Sequence, residues 1–302
     1  MNFLREALDL QVQVDAIGLG AVFALMAVGI GLVFGVMRLV NFAYGQLIMA
    51  GAFALAFASE RDWPVGVGIG LCFAVVLALS LAMERVVFRP LRGHSAAVML
   101  IATFAVAFLL QSIALLWFGP LGKTATSLVE LNRPVEVAGV DIRKITIVAI
   151  VTAAVCLTLL VVLLNRTSIG LHMRAAAIDA QTARLLGVRA NLVSTVSVLI
   201  AGALAAVVAV MLTVQFPTVT PTFALQETIL VLAGVVVGGM TRLLSATLGG
   251  FLIGYASGLL GGALPSSQSQ YLPSFLFGLV ILVLLIRPDG LFTRSRGLVE
   301  RV

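Results

Sequence analysis

Residues that could do chemistry are scarce in this chain, and their spacing does not match a catalytic site. The sequence WFGPLGKT at 117–124 contains the Gly-Lys-Thr of a phosphate-binding loop, but a tryptophan stands where that loop requires its first glycine. The two histidines, His94 and His172, lie among arginines outside the apolar segments, and no HExxH or GxSxG motif occurs. Cys72 and Cys156 have no metal-ligand spacing. We therefore expect a protein that is not an enzyme and that binds no nucleotide, metal or cofactor itself.

Polar side chains inside long apolar segments are the remaining candidates for a functional site. Six of them stand out: Asn41, Tyr44, Gln46, Gln111, Gln226 and Glu227. A polar group at membrane depth is costly and usually faces a cavity or another helix, so these residues are candidates for a substrate pathway. Structural alternatives exist for several of them. Asn41 and Gln46 could hydrogen-bond the end of a broken helix. Gln111 could serve packing alone, and Glu227 could reach the membrane surface from the start of its segment.

The composition requires that most of the chain lie in lipid. Of the 302 residues, 61% are apolar and only 11% are charged, and the mean hydropathy is +1.16. Soluble domains average roughly 45–50% apolar and about 25% charged residues. A soluble protein of this composition would aggregate through its apolar surface. We therefore predict an all-α bundle of transmembrane helices in contact with the lipid bilayer, with no nucleic-acid partner.

Nine segments are apolar enough to cross a membrane, within a range of eight to ten. A crossing helix needs about 20 mostly apolar residues, and the segments are 16–37, 40–58, 64–83, 96–118, 145–164, 192–213, 225–240, 244–264 and 271–286. The second opens with polar residues, and the seventh is short. Either could be a broken or re-entrant helix, which membrane proteins tolerate only where protein surrounds it.

The positive charges predict the orientation of the bundle. The segments 84–94, 165–190 and 287–302, with Arg38 and Arg242, contain thirteen Lys and Arg against four acids, whereas the loops of the other side contain six against eight. Because cytoplasmic loops carry the excess of Lys and Arg, the first side is predicted to be cytoplasmic. An odd number of spans then places the N-terminus outside and the C-terminus inside.

No linker divides the chain, so residues 1–302 are predicted to form a single transmembrane domain. Its longest polar stretches are an external loop at 119–144 and a cytoplasmic loop at 165–190. The external loop is rich in glycine and proline and could contain a short hairpin.

The cytoplasmic loop has the features of short amphipathic helices. Two short pieces around 173–186 are followed by Gly187, a residue type that commonly ends a helix in a left-handed conformation. Such helices can equally lie on the membrane surface or dock in the groove of a partner protein. An acid lies near the middle of this segment, and arginines near its end favour the helix dipole. The candidate residues are Arg174, Asp179, Gln181, Arg184, Gly187 and Arg189.

A stripe of glycines predicts close helix packing late in the chain. The glycines recur every four residues and therefore share one helix face: Gly250, Gly254, Gly258 and Gly262. Faces of small residues allow helix backbones to approach closely in lipid. The stripe could pack within this chain, or it could face a partner subunit or a moving gate.

Four blocks of the sequence resemble the permease subunits of branched-chain amino-acid ABC importers. The run NFAYGQ at 41–46, directly after GVMRLV at 35–40, is similar to a signature of that family. Residues 174–210 resemble its coupling region and the helix that follows, 231–254 resemble a glycine-rich run between late spans, and 284–292 resemble its ending. The blocks follow the order of the family and cover most of the chain.

The resemblance implies half of a transport channel in the bacterial inner membrane. The implied partners are a second homologous permease subunit, two cytoplasmic ATPases and an external solute-binding protein, with residues 173–189 docking on an ATPase. The general importer pattern in this loop is EAA, three residues and glycine. Gly187 matches, but the triplet at 181–183 is QTA and lacks the glutamate. The implied solutes are leucine, isoleucine and valine. Related transport systems carry urea, amides or small carboxylates instead.

Two other functions compete with this interpretation. A self-sufficient secondary transporter normally has an ionisable residue deep in the bundle, and Glu227 is the acid available for that role. An intramembrane enzyme would need a Ser–His or His–Glu pair at membrane depth, and no predicted span contains a histidine. Dependence on a separate ATPase distinguishes an importer subunit from a carrier that works alone.

Overall fold

The computed structural model describes residues 10–126, 128–137, 140–240, 242–265, 268–288 and 290–292. Its helices are α1 (Leu10–Met37), α2 (Tyr44–Ser59), α3 (Val65–Met83), α4 (Ala96–Phe118), α5 (Lys144–Arg166), α6 (Ser168–Ile178), α7 (Ala180–Leu185), α8 (Ala190–Gln215), α9 (Leu225–Gly238), α10 (Leu243–Ala263) and α11 (Leu272–Ile286). Helix α3 continues through a wide π-helical turn, Glu84–Phe88, as far as Leu91. Single 3-10 turns occur at Val129–Asn132 and Ser269–Tyr271.

Among the described residues, seven helices are long and apolar enough to cross a membrane: α1, α3 with its continuation, α4, α5, α8, α10, and α11 with the turn before it. The two weakest of the nine predicted spans, 40–58 and 225–240, form the shorter apolar helices α2 and α9. These helices have 16 and 14 residues. At a rise of 1.5 Å per residue they measure roughly 24 and 21 Å, less than the bilayer core of about 30 Å.

Local sequence explains several helix ends. Ser95 precedes α4, and its hydroxyl accepts a hydrogen bond from the Val98 backbone N–H at 3.4 Å. The same helix ends at Gly119, whose φ of +77° suits glycine. Pro273 lies in the first turn of α11, where a missing N–H costs nothing.

Helices α1, α2, α8 and α9 form the buried centre of the bundle. In the most apolar part of α1, 83% of the residues are buried, against 17% in the corresponding part of α5. The outer helices instead expose large apolar side chains, including Phe108 on α4, Leu159 on α5 and Leu285 on α11. Such a surface suits contact with lipid.

The glycine stripe of α10 packs on α1 of the same chain. A Cβ atom added to Gly254 would lie 2.6 Å from the Phe23 Cβ, and one added to Gly258 would lie 2.5 Å from the Ala16 Cα. A Cβ on Gly262 would meet Val12 at 2.6 Å, and one on Gly250 would overlap Ala27. Another face of α10 meets α9 in the same way through Gly234, Gly238 and Gly249. In the structure, therefore, the stripe contacts α1 rather than a surface left free for a partner.

Two small β structures cover one end of the bundle. Strands β2 (Pro134–Val137) and β3 (Val140–Arg143) form the hairpin expected within the 119–144 loop. Strands β1 (Lys123–Thr124) and β4 (Thr218–Val219) pair antiparallel, which ties the segment after α4 to the segment after α8. Lys123 also pairs with Glu60 at 2.7 Å. Lys123 and Thr124 of the Gly-Lys-Thr sequence thus form a strand, and the sequence is not a strand-to-helix phosphate loop.

Arginines gather at the other end, which we call the arginine-rich end. Arg38 donates from Nη2 to the Ala177 carbonyl oxygen at 3.0 Å, which joins the end of α1 to α6. Arg92 pairs with the buried carboxylate of Glu84 and donates from Nη1 to the Asn191 side chain at 2.5 Å. The described chain begins at the end opposite this one. It finishes at the arginine-rich end, where the backbone N–H of Leu291 donates to the Val237 carbonyl at the end of α9.

Candidate functional site

A break between α1 and α2 brings polar residues into the bundle. Helix α1 ends at Met37, and Arg38 has a left-handed φ of +55° that interrupts the helix. Asn41 is 3% exposed, and its Oδ1 accepts a hydrogen bond from the Ala43 backbone N–H at 3.0 Å. This side chain therefore shapes the turn that starts α2, as the structural alternative for Asn41 proposed.

The start of α2 lies well inside the bundle. The ring of Phe42 stacks on Phe104, with 4.1 Å between the ring centroids. Phe104 is eight residues into α4, which corresponds to roughly 12 Å from the start of that helix. The Thr103 hydroxyl donates to the Val40 carbonyl at 3.4 Å, on the same level. Residues 38–43 thus enter the bundle without helical structure.

Helix α9 begins beside the start of α2. Residues 216–224 return from the end covered by the β structures, and Ala224 precedes α9 with a left-handed φ of +61°. A Cβ added to Gly45 would lie 3.0 Å from the Ala224 carbonyl oxygen and would overlap the Thr228 hydroxyl. We call this contact, formed by residues 41–46 and 224–228, the helix-start junction. The first turns of both helices therefore lie inside the bundle, where the N–H groups of Gln46 and Leu225 donate to carbonyls of the preceding turns.

Two side chains of this junction are buried without a partner. Tyr44 and Gln46 are each 1% exposed, and the Tyr44 hydroxyl and both amide atoms of Gln46 have no hydrogen bond to any residue that the structure describes. The Tyr44 ring packs against α1, where a Cβ on Gly29 would lie 2.7 Å from its Cζ. Unpaired buried polar groups cost about 1–3 kcal/mol each. The Gln46 side chain therefore makes no hydrogen bond to a helix end that the structure describes, whereas Asn41 bonds the turn before α2.

Of the remaining predicted pathway residues, Gln111 lies apart from Tyr44 and Gln46, whereas Gln226 and Glu227 belong to the helix-start junction. Gln111 is half-buried on α4, between Phe104, which stacks on Phe42, and Phe118, which stacks on Phe53. Gln226 and Glu227 lie in the first turn of α9, within the helix-start junction. The side chain of Gln226 is exposed, and that of Glu227 is half-buried. The structure thus groups five of the six residues around the starts of α2 and α9.

A cavity of about 560 Å³ opens beside α9, towards the end of the bundle that holds the β hairpin. It reaches inward to Phe23 and Leu230, and Gln226 and Glu227 line it. An ion pair also lines this cavity, between Asp15 at the start of α1 and Arg143 just before α5, with 3.2 Å between Oδ1 and Nη2. We call this cavity, beside α9, the α9 cavity.

The arginine-rich end carries the two short helices expected in the 165–190 loop. Helices α6 and α7 are separated at Asp179, whose carboxylate accepts hydrogen bonds from the Thr182 N–H at 3.2 Å and from its hydroxyl at 2.5 Å. Asp179 therefore caps α7. Helix α7 ends at Gly187, where φ is +89°. The Gly187 N–H bonds to the Arg184 carbonyl and the Val188 N–H to the Ala183 carbonyl, each at 3.0 Å, the pattern of a Schellman cap.

The arginines of this loop have different surroundings. Arg174 donates to the Asn165 side chain at 3.3 Å. Arg184 and Arg189 line a cavity of about 810 Å³ together with Arg89 and Arg92 from the segment between α3 and α4. The backbone of Gln181 lies in α7. Two loops that are distant in sequence thus form one basic surface.

Comparison with known proteins identifies the family. The family model described as branched-chain amino acid transport system, permease component, matches residues 13–285. The chain belongs to this permease family. The match begins within α1 and ends within α11, so it includes both short helices and the arginine-rich loop. The resemblance to this permease family is therefore confirmed.

Two members of the permease family show how far the similarity extends. BraD of Pseudomonas aeruginosa is 30% identical over 305 residues, covering 97% of this chain and 98% of BraD. LivH of Escherichia coli K12 is 27% identical over 306 residues, covering 97% of each chain. Both are permease proteins of high-affinity branched-chain amino acid transport systems. Family membership places this chain among transport subunits rather than enzymes.

Solved structures share the fold of this permease. PsaBC from Streptococcus pneumoniae, in complex with Fab, matches with a TM-score of 0.52 and 13% identity over 95% of this chain and 96% of that one. A metal-chelate type ABC transporter in an inward-facing conformation matches with a TM-score of 0.52 and 18% identity, over 92% and 87%. At these identities the likeness concerns the arrangement of helices alone.

Sequence reasoning missed the charged lining of the α9 cavity. Asp15, Arg143 and Thr146 meet there, and the Thr146 hydroxyl donates to the Asp15 Oδ1 at 2.9 Å. In the sequence, Asp15 directly precedes the first predicted span, and Arg143 lies two residues before the start of the fifth. Charges at two span starts on the same predicted side were a signal that these residues could pair.

Proposed function

We propose that this chain is the permease subunit of an ATP-binding-cassette importer and forms half of the pathway for branched-chain amino acids or a related small solute. The observation that carries the proposal is the helix-start junction, found in a chain of this permease family. Transporters commonly build their substrate sites from broken helices whose starts meet near the middle of the bilayer. The unpartnered Tyr44 and Gln46 at this junction support the same interpretation.

The proposed pathway residues are those that interrupt the apolar segments: Asn41, Tyr44, Gln46, Gln111, Gln226 and Glu227. Tyr44 and Gln46 would offer a hydroxyl and an amide to the solute inside the bundle. Gln226 and Glu227 would face the solute earlier, because they line the α9 cavity. Asn41 would act by shaping the start of α2.

The chain would cross the bacterial inner membrane nine times. Seven crossings would be the long helices, and α2 and α9 would each be completed by a non-helical segment, 38–43 and 216–224. The positive-inside rule makes the arginine-rich end cytoplasmic. The described chain begins and finishes at opposite ends, which supports an odd number of crossings, with the N-terminus outside and the C-terminus inside. The 119–144 loop would then be external in this single transmembrane domain.

The α6–α7 segment would couple ATP hydrolysis to movement of the bundle. Its proposed contact residues are Arg174, Asp179, Gln181, Arg184, Gly187 and Arg189, and their partner would be one of two cytoplasmic ATPases. Arg38 supports this route, since its bond to the Ala177 carbonyl links α6 directly to the end of α1 and to the break before α2. A second permease subunit and an external solute-binding protein would complete the importer.

Reconstitution tests the proposal. Vesicles containing this chain, its partner permease, the ATPases and the loaded binding protein should accumulate labelled leucine only when ATP is present on the ATPase side. Unlabelled isoleucine and valine should compete, and urea, amides and small carboxylates serve as comparison solutes. Uptake by this chain alone, driven by a sodium or proton gradient, would instead show a secondary transporter.

A further inference from the structure

The α9 cavity combines three charged side chains, Asp15, Arg143 and Glu227, with an apolar floor. At about 560 Å³ it falls within the range of about 300–1,000 Å³ that is usual for small-molecule sites. Leu19, Phe23, Leu230 and Leu272 supply apolar lining, and Gly258, Gly261 and Gly262 leave one wall without side chains. The cavity therefore has room for an aliphatic group beside charged residues.

Arg143 presents its guanidinium group to this cavity. Its Nε donates to Asp15 Oδ1 at 3.3 Å, its Nη2 lies 3.2 Å from the same oxygen in the ion pair, and the side chain remains 40% exposed. The Thr146 hydroxyl also donates a hydrogen bond to the same oxygen. Asp15 thus holds one edge of the guanidinium in place. Among the residues that the structure describes, Nη1 has no hydrogen bond, and a guanidinium edge suits a carboxylate.

Glu227 supplies the opposite charge. It lies in the first turn of α9, where the helix dipole favours a negative side chain. It forms no ion pair with any residue in the described ranges, although Arg143 lines the same cavity. An acid at membrane depth normally has a cationic partner or serves transport.

We infer that the α9 cavity binds the zwitterion of an apolar α-amino acid, with its ammonium group on Glu227, its carboxylate on Arg143 and its side chain against Phe23 and Leu230. This inference rests on the proposed function and names how that function selects its solute. It assigns the cavity the first contact with the solute, before the helix-start junction. Selection would then occur in the permease as well as in the external binding protein.

Protection from chemical labelling tests the inference in the assembled importer. Gly261 lines the cavity, and a Cβ added there meets no atom within 4 Å, so Gly261→Cys introduces a reporter with little disturbance. With Cys72 and Cys156 replaced, leucine should slow the reaction of this cysteine with a membrane-impermeant maleimide. Glu227→Gln should raise the half-protecting leucine concentration roughly 10- to 100-fold, since a charge-assisted contact is lost. Glu227→Asp should retain most of the protection.

The controls separate the zwitterion from other occupants. Gly66→Cys, which also has open space but does not line the cavity, should react at the same rate with and without leucine. Leucinol, which lacks the carboxylate, and 4-methylpentanoate, which lacks the ammonium, should protect Gly261→Cys much less than leucine does. Equal protection by either analogue, protection by sodium alone, or full protection in Glu227→Gln overturns the inference. ATP-driven uptake by the same wild-type vesicles reports separately on the proposed function.

Discussion

Positions on the same helix differ greatly in the space they leave for a larger side chain, as two glycines of α10 show. The Cβ of an alanine at Gly254 would already lie 2.6 Å from Phe23, whereas Gly261 has nothing within 4 Å. Both glycines belong to the same helix and to equally apolar sequence. The difference arises because one faces α1 and the other faces the α9 cavity.

Gly254→Leu should therefore prevent normal packing of α10 on α1. Overpacking a close contact typically costs about 1–3 kcal/mol, and here the neighbouring backbone of Gly20 leaves little room to adjust. We expect loss of assembled complex, measured as the yield of the co-purified subunits. Gly261→Leu is the matched control and should assemble. Normal assembly and transport by Gly254→Leu would mean that the two helices do not pack as closely as the structure has them.

Tyr44→Phe separates a structural from a functional role for a buried hydroxyl. Because the hydroxyl has no partner among the described residues, its removal should not lower the thermal stability of the complex. If it contacts the solute, leucine uptake should fall by about 2- to 10-fold, the value of one neutral hydrogen bond. The measurements are the unfolding temperature and the initial uptake rate. Unchanged uptake would remove Tyr44 from the pathway.

At the scale of elements, short helices have the two central roles that we propose. Helices α2 and α9 are too short for a full span and bring their starts together inside the bundle. Helices α6 and α7 have caps of their own at Asp179 and Gly187, and each buries a side chain against the bundle, Met173 and Ala183. An element of this second kind can dock on a partner without unfolding the bundle.

Gly187→Val should uncouple ATP hydrolysis from transport. A β-branched residue at a φ of +89° costs about 1–2 kcal/mol, so the end of α7 should lose its shape. Arg184→Glu should act on the same surface through charge. We expect both variants to insert and to bind the loaded binding protein, but to lose solute-stimulated ATPase activity together with uptake.

The backbone strain that Gly187→Val introduces needs a control variant with a strained residue far from α7. Gly119 has a φ of +77° and equally open surroundings, but it lies at the opposite end of the bundle, so Gly119→Val carries similar strain away from α7. This variant should keep stimulated hydrolysis. If Gly187→Val and Arg184→Glu also keep full stimulation and uptake, α6 and α7 are membrane-surface helices and not a coupling element.

At the scale of the whole molecule, charge and topology support the orientation that we propose. Arginines from three separate loops meet at the arginine-rich end, and the described chain starts at the other. Single cysteines at Leu121 and Leu186, which are 90% and 81% exposed, test this in a background without Cys72 and Cys156. An impermeant maleimide added to intact cells should label Leu121→Cys, and it should reach Leu186→Cys only after permeabilisation. The reverse pattern would invert the proposed topology.

Features that depend on local sequence were predictable. Hydropathy located the apolar helices, since each is a continuous run, and it marked 40–58 and 225–240 as the weak ones that became α2 and α9. The hairpin in the 119–144 loop and the glycine cap after α7 follow from short-range turn chemistry. The sequence blocks also sufficed to recognise the family.

Contacts between distant residues were decided by the tertiary structure alone. Asp15 and Arg143 are 128 residues apart in the sequence. Gly45 and Ala224, which are in contact, are separated by an even longer stretch of the chain. Hydropathy says that a segment is buried in lipid or protein, but it does not say which helix face meets which neighbour. That choice depends on how all the helices pack at once. For this reason the polar residues could be named from the sequence, while their division between the helix-start junction and the α9 cavity required the folded bundle.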